Sequence, residues 1–262
     1  MPYWEDSVCI YDAKTNETYH WVDTVNFKLK GTTTLSLSSS GEIVLPLSFA
    51  KKVALLSMEK PPQFIKSFFL TDLSFTFPVS LLMINDTLIL SGYSSIPDIN
   101  TKWFKVVGLE FIDLQSGKIF EQAQIYDYDS LKQDGINTTA FAFFASYSGK
   151  NSVLVNQIAS PNIWEYSLAG SLIHIYDKVP NSYIPPPIWD ENTDPQNKQK
   201  YWEWCDSFTS SSPPFPFRQN SFFVARGNQD KFSLDFYDLS KKKYITSFKP
   251  ECVAFFGTDG EY

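Results

Sequence analysis

Hydrophobic positions along this chain alternate in short runs that polar turns interrupt. Residues 109–120, LEFIDLQSGKIF, show the unit: apolar alternation into Asp113, a turn through Ser116 and Gly117, then a second alternating run. Alternation with a period of two, broken by turn residues, predicts a β-hairpin. The same phrase returns as VCIYDAKTNETYHWV (8–22), VALLSMEKPPQFIKSF (53–68), NIWEYSLAGSLIHIY (162–176) and LDFYDLSKKKYITSF (234–248). An Asp or Ser closes the first run each time: Asp12, Ser57, Asp113, Ser167 and Asp238, at spacings of 45, 56, 54 and 71 residues. Such side chains accept hydrogen bonds from turn amides and so favour the reversal.

A second phrase lies between these hairpins. LSLSSSGEIVLPLSF (35–49), LLMINDTLILSG (81–92), FFASYSGKNSVLVNQI (143–158) and VAFFGTDGEY (253–262) also read strand–turn–strand, and FPFRQNSFFVARG (215–227) fits the slot loosely. Gly41, Gly149 and Gly260 occupy turn positions where positive φ is easy for glycine. The repeating unit is therefore four strands in about 50 residues, which is the pattern of a β-propeller blade. A two-layer sandwich explains the alternation equally well but not the fivefold return of one hairpin. The expectation is an all-β chain, 1–262, forming a single propeller of four-stranded antiparallel blades. Five blades are visible, with the two chain ends sharing one of them. The alternative is a six-bladed propeller lacking its first blade.

The stretch NIWEYSLAGSLIHIYDKVPNSYIPPP (162–187) resembles a blade of the bacterial six-bladed β-propeller proteins of the TolB/NHL-like group. That resemblance implies a propeller, an extracytoplasmic or envelope location and no assigned activity. No basic-then-apolar leader opens MPYWEDSVCIYD, so the expectation from the residues is a cytosolic chain or one read without its export signal. No apolar run approaches the roughly 20 residues of a membrane span.

Composition changes the picture in three places. Aromatic residues make up 17% of the chain, with 23 Phe and 14 Tyr, which suits strands. A net charge of −7 argues against duplex nucleic acid as a partner. Lys241 to Lys243 then read as a solvated hairpin tip. The three cysteines, Cys9, Cys205 and Cys252, are widely spaced, and His20 and His174 are the only histidines, so neither a metal centre nor a cofactor is expected.

The longest spacing hides an extra segment at about 178–217. It opens on Pro185–Pro187, which favour extended geometry, and holds Trp189, Trp202 and Trp204. Within it YWEWCDSF (201–208) alternates enough to predict the first strand of the last blade. Long loops on a rigid scaffold carry binding surfaces. The candidate ligand-binding set is Trp189, Asp190, Tyr201, Trp202, Glu203 and Trp204: aromatic faces beside carboxylates, suited to a glycan, peptide or protein partner. The expected function is a non-enzymatic binding or scaffold module. The alternative is a five-bladed glycan hydrolase with two or three carboxylates at the axis, for which Asp72, Asp86 and Asp259 are candidates, though each also reads as a turn residue. No GxSxG, HExxH, GxxxxGK[ST] or GxGxxG occurs.

Overall fold

The computed structural model describes residues 7–12, 15–22, 36–47, 52–70, 77–93, 105–127, 143–178, 180, 183–188, 198–218, 220–228 and 231–250. Among these, strands form five antiparallel sheets in chain order. The first is two-stranded, β1 (Ser7–Asp12) with β2 (Glu17–Val22). Four four-stranded sheets follow, called here sheets 1 to 4. Sheet 1 holds β3 (Ser36–Leu37), β4 (Ile43–Leu47), β5 (Lys52–Leu56) and β6 (Phe64–Phe69). Sheet 2 holds β7 (Phe77–Ile84), β8 (Thr87–Tyr93), β9 (Lys105–Asp113) and β10 (Lys118–Asp127). Sheet 3 holds β11 (Phe143–Tyr147), β12 (Ser152–Gln157), β13 (Ile163–Ser167) and β14 (Leu172–Tyr176). Sheet 4 holds β15 (Ser210–Phe217), β16 (Ser221–Asn228), β17 (Lys231–Asp238) and β18 (Lys243–Phe248). Within every sheet the spatial order of strands is their chain order.

Successive sheets meet chiefly through their first and second strands: β7 against β3 and β4, β11 against β7 and β8, and β15 against β11 and β12. The fourth strands lie outermost, and β18 is exposed along most of its length while β12 is buried throughout. First strands gathered inward and fourth strands outward make a β-propeller.

Apolar alternation drives this stacking, because each sheet has two faces to bury. Val44, Leu55, Leu81, Met83 and Leu90 fill the seam between sheets 1 and 2. Ile89, Leu109, Phe111, Phe143, Val153 and Val155 fill that between sheets 2 and 3. Leu154, Ile163, Tyr176, Phe222, Val224 and Tyr237 fill that between sheets 3 and 4. Each such side chain contributes about 1.5–3 kcal/mol by leaving water.

The hairpin caps act as the sequence suggests. Asp113 accepts the amides of Gln115 and Ser116 at 3.3 and 2.9 Å. Asp238 accepts those of Ser240 and Lys241 at 2.9 and 2.8 Å. Ser57 Oγ accepts from the amides of Glu59 and Gln63, and Ser167 Oγ from that of Ser171. The side chain of Asp12, and the pairing of 253–262 with the first sheet, lie outside the described residues.

These outer hairpin turns also lean on the preceding sheet. Gly117 and Gly170 stand at φ +69° and +82°. A Cβ on Gly117 would come within 2.0 Å of the Phe69 carbonyl oxygen in β6, and one on Gly170 within 2.3 Å of Glu121 in β10. In sheet 4 the equivalent turn residue is Lys242, also at positive φ, whose carbonyl meets His174 Nε2 of β14 at 3.1 Å. The hairpin tip at 241–243 is thus only partly solvated. Lys241 points outward, whereas the Lys242 ammonium turns back and pairs with Glu165 of sheet 3.

One sequence expectation is overturned. Residues 201–208 do not form the first strand of the last sheet; Lys198–Asp206 is a helix, α1. Trp204, Cys205 and Phe208 recur at helical spacing and pack with Ala159 and Ile158, which outweighs the apparent alternation of Tyr201 and Trp202. The true first strand is β15, SSSPPFPF, so the insertion ends before Ser210. Its three prolines argue against a central strand, but β15 is an edge strand with a bulge between Ser211 and Pro214, where missing donors are tolerated.

Candidate functional site

The insertion leaves sheet 3 after β14 and returns to sheet 4 at β15. Its described part is an extended strap, 183–188, followed by α1. Consecutive prolines keep the strap extended and remove its own amide donors, so other segments must fasten it. Thr209 donates its amide to the Ile184 carbonyl at 2.9 Å, and the Ile184 amide donates to Thr209 Oγ1 at 2.9 Å. Tyr183 donates its hydroxyl to the Ala159 carbonyl, in the β12–β13 turn, at 2.7 Å. Burial pushes the Tyr183 hydroxyl up to about 12, against the opposing charge of Arg226.

α1 is fastened on its inner side by Trp204, which is 7% exposed. The indole Nε1 donates to the Pro187 carbonyl at 2.8 Å, and its ring lies 4.8 Å from that of Phe208. The helix closes with the Ser207 hydroxyl donating to the Trp204 carbonyl at 2.6 Å. Its outer side carries Trp202, 62% exposed, and Glu203, which accepts from Gln199 Nε2 at 3.0 Å one helical turn away. On the strap, Ile184 and Ile188 are also exposed, Ile188 to 81%.

The sequence-derived set therefore divides. Trp204 is an internal anchor, and Trp202 and Glu203 face outward. Tyr201 falls within α1, and Trp189 and Asp190 lie outside the described residues. Ile184 and Ile188, which alternation and aromatic content did not single out, join the exposed surface; their place directly before and after the proline run was the available signal. Asp86, a candidate axial carboxylate, is a turn residue: it accepts from Gln115 Nε2 at 3.2 Å, and its carbonyl accepts the Leu114 amide at 2.9 Å. Asp72 and Asp259 lie outside the described residues.

The described carboxylates that are buried stand elsewhere, on the third strand of three sheets: Glu110, Glu165 and Asp235. Glu110 accepts from Gln122 Nε2 at 2.8 Å. Glu165 accepts from Ser152 Oγ at 2.9 Å and the Tyr176 hydroxyl at 3.1 Å, and pairs with Lys242. Burial, with Glu165 alongside, pushes the Tyr176 hydroxyl upward. Asp235 lies 3.3 Å from Arg226. The first strands β3, β7, β11 and β15 read SL, FPVSLLMI, FFASY and SSSPPFPF and carry no carboxylate. Among the described residues no group of three His, Cys, Asp or Glu could hold a metal ion, and no helix is long and apolar enough to cross a membrane.

No protein-family model matches the chain, and no curated protein matches it. Solved structures do. A member of the DUF4221 family from Bacteroides vulgatus superposes with a TM-score of 0.59 at 10% identity, over 93% of this chain and 75% of that one. The Dos1 propeller superposes with a TM-score of 0.51 at 10% identity, over 95% of this chain. The chain spans 55% of the Dos1 propeller's own length. At such identities the likeness is one of fold, and the fold is a β-propeller.

Proposed function

We propose that the chain acts as one propeller domain that binds a protein or peptide partner through the outer side of its insertion. One observation carries this reading. α1 is held rigidly through Trp204 while Trp202, two residues earlier on the same helix, stands 62% exposed. Aromatic anchors on a fixed support are the usual centres of interface energy. Exposed Ile184 and Ile188 on the adjoining strap favour an apolar peptide over a sugar, since a sugar ring gains from an aromatic face but little from an aliphatic one.

The absence of carboxylates from the described first strands supports binding over axial glycoside hydrolysis, because two carboxyl groups would have to face each other near the axis at about 5–10 Å. Kinship with the six-bladed TolB/NHL-like group, and an envelope location with it, belong to the same reading and rest on the phrase at 162–187. Fractionating cells and locating the chain tests that part. For the binding surface, peptide and glycan arrays are probed with the wild type and with Trp202→Ala. The expected result is peptide hits that weaken at least tenfold in the variant. Glycan hits, or peptide hits indifferent to Trp202, refute it.

A further inference from the structure

The seam between sheets 3 and 4 contains five buried side-chain atoms without a hydrogen-bond partner of good geometry: Asn156 Oδ1, Arg226 Nε and Nη1, Asp235 Oδ2 and the Tyr237 hydroxyl. All four residues are almost wholly buried, Arg226 being 2% exposed and Asp235 0%. Their remaining polar atoms are engaged. Arg226 Nη2 donates to the Pro161 carbonyl at 2.7 Å, across the seam. Asp235 Oδ1 accepts from Ser247 Oγ at 2.5 Å and Ser233 Oγ at 3.4 Å. Asn156 Nδ2 donates to the Ser212 carbonyl at 2.7 Å. Arg226 Nη1 and Asp235 Oδ2 stand 3.3 Å apart, close enough to attract but not aligned as donor and acceptor.

Arg226 and Asp235 attract each other and Tyr237 lies against the guanidinium, so these three are not isolated, yet none of the five atoms has an aligned hydrogen bond. Unmet hydrogen bonding at a buried polar atom costs up to about 1–3 kcal/mol, and its concentration in one seam calls for an occupant. The mixture identifies its chemistry. Arg226 supplies only donors; Asp235 Oδ2 and Asn156 Oδ1 are only acceptors; Tyr237 is either. An anion would serve Arg226 and be repelled by Asp235. A cation would serve Asp235 and be repelled by Arg226. Water donates and accepts, is neutral, and needs only two to four polar partners. We propose that this seam is a built site for internal water, one or more molecules that complete the hydrogen bonding of the Arg226–Asp235 pair and join sheet 3 to sheet 4.

The test is a crystal structure of the wild-type chain at about 1.8 Å or better, from crystals soaked in bromide. The expected result is a well-occupied oxygen peak 2.6–3.2 Å from at least two of the five atoms, with no anomalous signal. A bromide peak at that position overturns the proposal in favour of an anion site. A seam without a peak, in which Tyr237 or Arg226 bonds Asp235 directly, overturns it in favour of a dry network. Tyr237→Phe in the same crystal form should lose the water nearest residue 237; a peak unmoved by the change would remove Tyr237 from the site. Should that variant fail to fold, the wild-type density alone decides.

Discussion

Replacing Arg226 by Met is the sharpest test of how the seam between sheets 3 and 4 is held. The change keeps length and apolar bulk but removes the guanidinium that lies 3.3 Å from a carboxylate with no solvent exposure. Leaving one member of a buried pair alone costs about 3–5 kcal/mol. The lost bond to the Pro161 carbonyl adds about 1 kcal/mol. At about 2–4 °C per kcal/mol for a chain near this size, the thermal midpoint should fall by at least about 8 °C. The double variant Arg226→Met/Asp235→Leu should recover most of that, since an apolar pair of similar volume avoids the desolvation that both charges suffer. The pH dependence is a second signature. Burial holds the Asp235 carboxyl above its ordinary range, while the Ser247 bond and the Arg226 charge pull it down. The folded state therefore binds this proton more tightly than the unfolded chain, and stability falls as pH rises through that window. Removing Arg226 removes a lowering influence and widens the window. The Met variant should thus be most impaired near pH 8 and least near pH 4.5, measured by urea unfolding at both. A loss below about 1 kcal/mol, or a double variant no better than the single one, would refute the reasoning.

Four further outcomes are expected. Trp204→Ala should release the insertion, at a local cost of about 3–5 kcal/mol, so that limited proteolysis cuts near 183–206 while the four sheets persist by circular dichroism. Trp202→Ala should leave unfolding within about 0.5 kcal/mol of the wild type in the same urea titration, since a solvent-facing side chain away from caps and core contributes little to stability. Gly117→Ala should lower the thermal midpoint, because its Cβ would strike the Phe69 carbonyl and its φ is unfavourable for alanine; an unchanged midpoint would show that the turn does not lean on sheet 1. Asp238→Ala should be destabilising at neutral pH only. The Lys241 amide chiefly holds this carboxyl below its ordinary value of 3.8, so its contribution is present above that pH and lost as pH falls, readable by thermal scans at pH 7 and pH 3.

The sheets were legible because a period-two pattern is local, and because Asp113, Ser167 and Asp238 mark the same reversal in each. The helix α1 was not. Tyr201, Trp202 and Trp204 mimic alternation over four residues, and only the buried cluster of Trp204, Phe208 and Ala159 decides against it. That cluster joins residues far apart in the chain, which no local pattern reveals. The prolines of β15 concealed only its first part, since 215–227 reads as strand–turn–strand and covers the end of β15 and most of β16. Of the candidate surface, the aromatic content was legible but its division was not: Trp202 and Trp204 look alike in sequence and differ only in which side of the helix meets the β12–β13 turn. The ionic character of one seam was equally hidden, since Glu165, Arg226 and Asp235 each sit in runs that read as ordinary amphipathic strands.

The way each outer turn rests on the strand before it gives the molecule an order of construction. Gly117 needs β6 in place, Gly170 needs β10, and Lys242 needs β14. A ribosome delivers about 5–20 residues per second, so several seconds separate one sheet from the next, whereas a hairpin closes in about 1–10 μs. If the sheets fold in the order of synthesis, each new outer turn closes onto a fourth strand that is already paired.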